Sequence, residues 1–192
     1  MDESQTLVYF PLGQLEKQTA RFDDVSQALH WLTVLLVIGQ FISGLLHEQR
    51  HGAAAELLLT FHRSAGMATW IVVVTRLLWR RWFAYLPPFP AAMPKAQQWV
   101  AKLNEYGLYL LLLLQPLTGL ATMVLFGHPF TLFLWQMPAL MAQNKPLAHM
   151  LKEMHETGAW ILAVLIGLHA AAALFHGLVL RDRVLQRMLP DI

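Results

Sequence analysis

Five histidines, His30, His62, His155, His169 and His176, stand inside or at the mouths of otherwise apolar stretches of a 192-residue chain. An imidazole in hydrocarbon is costly unless its nitrogens are occupied, so repeated histidines in such a setting point to a bound metal cofactor. His155 and His169 are fourteen residues apart. On one helix that spacing returns both to nearly the same face, about 21 Å apart along the axis. The arrangement suits one ligand to each of two stacked haems.

The elements that must carry these side chains follow from composition. The chain is 56% hydrophobic and 14% charged, and the apolar residues form long runs instead of an amphipathic period. Such runs leave no wet face, which fits an all-α membrane protein. The absence of cysteine excludes disulfides, thiolate catalysis, cysteine-ligated iron–sulfur clusters and covalent c-type haem. Any haem is therefore held by axial ligation and packing. The net charge of +2, with no basic stripe among aromatics, gives nucleic-acid binding no footprint. The stretch before the first apolar run, with Glu3, Glu16, Lys17, Arg21, Asp23 and Asp24, is too acidic and too long for a usual signal peptide, so the first helix itself is expected to target the membrane.

Four apolar runs are long enough to cross the bilayer: about Leu29–Leu46, Leu57–Trp79, Leu103–Phe126 and Glu156–Leu180. Asp24 or Ser26 offers an N-cap for the first. Four spans put both termini on one side. Lys17, Arg21, Arg76, Arg80, Arg81, Lys95, Lys102, Arg181, Arg183 and Arg187 fall on that side, against Arg50, Arg63, Lys145 and Lys152 on the other. The imbalance predicts a four-transmembrane-helix bundle with N and C termini cytoplasmic. Residues 1–20 read as an N-terminal cytoplasmic extension and residues 21–190 as the di-haem domain.

Pro87, Pro88, Pro90 and Pro94 break the second connection, and Lys95–Lys102 is expected to lie along the interface before the third span. Gly127–Lys145 forms the larger external cap. Pro116 is expected to kink the third helix, where Gly119 permits close packing. No repeat is read in the chain.

Depth then pairs the histidines. The second and fourth spans both descend from the external face, so His62 and His155 meet near it. His30 enters low on the first span and meets His169, which lies about 21 Å below His155. Two neutral imidazoles fill both axial positions of an iron porphyrin and keep their other nitrogens for hydrogen bonds. Gly44, Gly66, Gly158 and Gly167 lie where a flat porphyrin needs room. Arg63 and Lys152 could meet haem propionates externally, and Arg21, Arg76 or Arg80 internally, although interface snorkelling accounts for all five equally well.

His176, seven residues beyond His169, has three readings: a competing partner for His30, a proton-handling group beside a quinone, or an ordinary interfacial histidine. His47, His51, His128 and His149 read as wetted loop residues. The tryptophans and Tyr106 and Tyr109 suit interfacial belts.

Taken in order, several segments resemble the bacterial cytochrome b561 family. They are Arg21 and Leu29-His30-Trp31; Phe61-His62-Arg63-Ser64-Ala65-Gly66; Arg76-Leu77-Leu78-Trp79-Arg80; and Leu112-Leu113-Leu114-Gln115-Pro116-Leu117-Thr118-Gly119. His155-Glu156, the run from Gly167 to His176 and the tail from Arg181 to Pro190 complete the likeness. The resemblance implies His30, His62, His155 and His169 as ligands of two haem b groups, and it is nearest in appearance to superoxide oxidase. It further implies electron passage from periplasmic superoxide to ubiquinone, with His176 at the quinone pocket. Many relatives carry a histidine pair at that point, whereas here Gly177 follows His176, and the extension before Arg21 is a second departure.

Superoxide, an anion, would react near the outer haem, aided by a positive funnel of Arg50, Arg63, Lys145 and Lys152 that Glu48, Glu56, Glu153 and Glu156 partly cancel. An alternative keeps the same core as a quinone-linked electron carrier, with a periplasmic electron-donor protein or another small reductant at the Gly127–Lys145 cap. A haem-free transporter or structural protein is the third reading, weakened by the lack of an acidic intramembrane pair and of an inverted repeat.

Overall fold

The computed structural model describes residues 21–90 and 92–189. The N-terminal extension 1–20 lies outside the described residues. Four long helices dominate: α1 (Asp24–His47), α2 (Ala53–Trp82), α3 (Lys95–Phe126) and α4 (Lys145–Phe175). Each is long and apolar enough to cross a membrane.

Local chemistry sets their ends. Asp23, and not Asp24 or Ser26, caps α1: its carboxylate accepts from the Ser26 amide at 3.0 Å and the Ser26 hydroxyl at 2.7 Å. Gly127 ends α3 at φ +67°, and a Cβ there would lie 3.0 Å from the Gln143 backbone, so the turn needs glycine twice over. Asn144 caps α4, its side chain accepting from the Leu147 amide at 3.3 Å, with Pro146 in the first turn. Beyond Phe175 the helix widens into one π-turn, His176–Leu180, which Arg181 closes at φ 53°.

One further expectation is corrected. Lys95–Lys102 is the first part of α3 and not a separate interfacial segment, because Pro94 occupies the cap position, where its missing N–H costs nothing. Pro116 lies inside α3, which runs on to Phe126. The connection between α3 and α4 contains a short hairpin, β1 (Phe130–Leu132) against antiparallel β2 (Trp135–Met137), with Phe130 opposite Met137. Phe130 is buried, and the Phe133 amide donates to the Ser64 hydroxyl at 2.7 Å, which moors the hairpin on α2.

The core is thin. Val37, Val73, Leu112 and Leu162, one from each helix, meet at its centre, flanked by Phe41, Leu108 and Ile166. Leu35, Ile42, Ile71, Val164 and Leu168 face outward and exposed. A bundle with its large aliphatics outside suits lipid as solvent.

At the opposite end from the hairpin, the C-terminal tail crosses the start of α1. The Phe22 amide donates to the Arg187 carbonyl at 3.2 Å, the Trp31 indole to the Met188 carbonyl at 2.8 Å, and the Arg21 guanidinium to the Leu189 carbonyl. The buried Arg187 donates to the Pro88 carbonyl at 2.6 Å. Both described ends therefore share one face of the bundle with the α2–α3 connection.

Candidate cofactor sites

The structure brings four of the five histidines together as two pairs. The rings of His62 on α2 and His155 on α4 have centroids 6.1 Å apart at 81°. Those of His30 on α1 and His169 on α4 are 6.2 Å apart at 58°. Two imidazoles bonded to one metal at about 2 Å each, measured from ring centre to ring centre, are separated by roughly 6 Å. The residues present thus fit a metal between the rings of each pair. Among the described residues no group of three or more ligating side chains exists. Two facing imidazoles fit a haem, whose ring would supply the other donors.

The His62–His155 pair is held by two copies of one device. His62 Nδ1–H donates to the Gln40 carbonyl at 3.0 Å, and His155 Nδ1–H donates to the Gln115 carbonyl at 3.0 Å. Fixing the proton on Nδ1 leaves Nε2 as the lone-pair nitrogen, the state that a metal ligand requires. A hydroxyl stands beside each bond: Ser43 Oγ is 3.4 Å from His62 Nδ1, and Thr118 Oγ1 is 3.2 Å from His155 Nδ1. One glycine makes room for each ring, since a Cβ on Gly44 would lie 3.2 Å from His62 Cε1 and one on Gly119 would lie 3.0 Å from His155 Cε1.

The sequence carried this signal as Gln40-Phe41-Ile42-Ser43-Gly44 and Gln115-Pro116-Leu117-Thr118-Gly119. A short repeat is therefore present after all. Its carbonyl, hydroxyl and glycine each serve the histidine on the next helix. The Gln40 amide is itself anchored by donating to Thr69 Oγ1 at 2.6 Å, and the Gln115 amide by donating to the His155 carbonyl at 2.9 Å.

The other glycines divide. A Cβ on Gly158 would strike the Gln115 amide at 2.9 Å, so that glycine serves helix packing. A Cβ on Gly66 would meet only the Gln40 side chain at 3.7 Å, and one on Gly167 would meet nothing within 4 Å. Arg63 donates to Glu56 at 3.1 Å and lies 6.0 Å from the Phe130 ring centroid, while Lys152 pairs with Glu156 at 2.6 Å. Both cations of the expected external set are thus already paired, which leaves Arg50 and Lys145 as the less neutralised part of any funnel.

His176 is buried and apart from the His30–His169 pair. Its Nδ1 bonds the Asp182 carboxylate, and its Nε2 lies 2.8 Å from the Gln97 amide nitrogen. The π-turn brings this about, carrying the chain from His176 back so that the Asp182 amide donates to the His176 carbonyl at 3.3 Å. Sequence reasoning named His176 without either partner. His47 bonds the Gly44 carbonyl at 2.6 Å, and His149 stands edge-on to Phe126.

Comparison with known proteins agrees with this architecture. The family described as prokaryotic cytochrome b561 matches residues 21–191. Cytochrome b561 homolog 1 of Escherichia coli (strain K12) is 32% identical over 175 residues, covering 88% of this chain and 97% of the relative. The probable superoxide oxidase CybB of Yersinia pestis is 33% identical over 165 residues, covering 84% and 92%. Cytochrome b561 homolog 2 of Escherichia coli (strain K12) is 31% identical over 176 residues, covering 88% and 91%.

Proposed function

We propose, on the premise that this chain belongs to the prokaryotic cytochrome b561 family, that it passes electrons from periplasmic superoxide to ubiquinone across the bacterial inner membrane. The family makes the chain a multi-pass bacterial membrane electron carrier with haem b. Two haems, superoxide, ubiquinone and cytoplasmic termini are the finer reading. The stacking of two imidazole pairs at two levels of one bundle supports the two haems, and the likeness to a probable superoxide oxidase supports the donor.

In this reading His62 and His155 hold the outer haem, and His30 and His169 the inner one. Bound there, the two groups would supply one-electron transfer at iron. The protein's contribution is orientation. The Gln40 and Gln115 carbonyls fix the tautomer of the outer ligands, Gly44 and Gly119 set how closely those rings approach α1 and α3, and the apolar bundle excludes water. Arg63 and Lys152 are the external cations that would meet propionates, sharing them with Glu56 and Glu156.

Reducing one quinone to quinol takes two electrons and two protons. Two superoxide anions give the electrons and leave as dioxygen. The protons come from the cytoplasmic side, where His176 stands as the catalytic group. With its Nδ1–H given to Asp182, it accepts at Nε2 from Gln97, the atom through which a proton would pass to the quinone oxygen.

The test is steady-state ubiquinone reduction by the purified protein, driven by an enzymatic superoxide source. Quinol formation that superoxide dismutase abolishes supports the reading. Formation that survives excess dismutase, or none at all, refutes superoxide as donor.

One observation favours a second reading, in which a periplasmic protein is the donor. The tip of the external hairpin presents Leu134 at 94% and Trp135 at 75% exposure, a surface fit for docking.

A further inference from the structure

The two halves of the bundle repeat the same spacing with different chemistry at the inner level. Glu105 stands to Gly119 as His30 stands to Gly44, and Arg76 stands to His62 as His169 stands to His155. Where α1 and α4 offer a pair of imidazoles at this level, α2 and α3 offer an arginine and an acid. The acid is already used: Glu105 pairs with Arg80 at 2.7 Å.

Arg76 is left with its charge. Its guanidinium carbon lies 5.5 Å from the Tyr109 ring centroid, and among the described residues it makes no hydrogen bond or ion pair. A narrow cavity adjoins it, walled by Ser26, Arg80, Leu86, Tyr109 and Met188. Arg76 also lies within electrostatic range of both His30 and His169.

A half-buried guanidinium on a membrane-spanning helix is costly without an anion, and stacking on a phenol offsets only part of that cost. Its planar fork of donors is matched to a carboxylate. Of the other acids at this end, Asp23 is committed to Ser26 and Trp79 and Asp182 to His176. Glu105 is within electrostatic range of Arg76 but bonds Arg80, so a carboxylate brought by a ligand would supply the hydrogen-bonded partner that Arg76 lacks among the described residues.

We propose that Arg76 binds a propionate carboxylate of the inner haem in the cavity beside Tyr109, and that its charge stabilises the reduced form of that haem selectively. The inference rests on the two-haem reading above and goes beyond it by assigning one cation to one cofactor and giving it an electronic role. Removing a fixed positive charge beside an iron centre favours the more positive, oxidised state, so the midpoint of that centre falls.

The experiment is a spectroelectrochemical titration of the purified full-length protein and its Arg76→Gln variant, with haem quantified per chain. Wild type is expected to carry two haems with two resolvable midpoints. In Arg76→Gln one midpoint falls and the other stays, or the inner haem is lost and Arg76→Lys restores it. Two haems at unchanged midpoints in Arg76→Gln would mean that the side chain merely snorkels to the interface, and would overturn the proposal while leaving the two-haem reading intact. A wild type with a single haem would overturn that reading and this inference with it. Should Arg76→Gln fail to accumulate, Arg76→Lys is compared by redox-difference infrared spectroscopy with haem isotopically labelled at its propionates. A displaced carboxylate band supports the contact, and an identical band overturns it.

Discussion

Gly44 is in contact with His62 across the α1–α2 interface, so closely that a Cβ at Gly44 would stand 3.2 Å from Cε1 of the ring. Because that ring hangs from the Gln40 carbonyl, a methyl here would press the ring against the geometry of its hydrogen bond. Gly44→Ala is predicted to lower haem content from two per chain toward one, and Gly119→Ala, with 3.0 Å to His155, to do the same. Pyridine haemochrome quantification checks both. Full occupancy in each variant would mean that the glycines serve only helix packing.

Asp23 gives a prediction for pH. Burial pushes its carboxyl upward, but hydrogen bonds from the Ser26 hydroxyl and amide and from the Trp79 indole outweigh this and hold it below the ordinary carboxylate range. A depressed folded-state value stabilises the fold above the unfolded value, and that contribution fades as pH falls through the folded one. Asp23→Ala should therefore cost about 1 kcal/mol of cap energy at neutral pH. The gap in melting temperature between wild type and variant should close below about pH 4. A gap unchanged into strong acid would refute the assignment.

The tail strap has its own test. Arg187 is only 6% exposed and donates to the Pro88 carbonyl at 2.6 Å, so Arg187→Ala leaves that carbonyl unpaired beneath the tail. A loss of about 1–3 kcal/mol is expected. Thermal unfolding in detergent measures it, and unchanged haem content would separate it from a ligand effect.

Asp182 should act through His176. Asp182→Asn keeps the shape but removes the charge that fixes the Nδ1 proton, so quinone-linked turnover should drop by about tenfold or more. Quinone KM and direct dithionite reduction of the haems should hardly change. A raised KM with kcat intact would make Asp182 a binding residue instead.

How much of this was legible in the sequence depended on dimension. The pairing of His62 with His155 and His30 with His169 needs only the rise along a helix and the direction of each span, and both are one-dimensional quantities. The carbonyls of Gln40 and Gln115 were not legible as partners, because a main-chain acceptor has no side-chain signature. The glutamine–hydroxyl–glycine spacing stands in the sequence, but Gly44 reads there as room for a porphyrin and Gly119 as close packing, and neither is tied to its glutamine. Asp182 was missed because a π-turn and not a straight helix returns it to His176, and sequence periodicity assumes the straight path. The segment after Pro94 misled for the opposite reason. Polar residues around Trp99 look interfacial whether or not the helix behind them is continuous.

The most direct measurement counts haem per chain, with reduced-minus-oxidised spectra, in the wild type and in single alanine variants of His30, His62, His155 and His169. The account predicts two haems in the wild type, loss of one spectral component in both the His62 and His155 variants, and loss of the other in both the His30 and His169 variants. Two haems retained through all four exchanges, or losses that group the histidines in any other way, would contradict it.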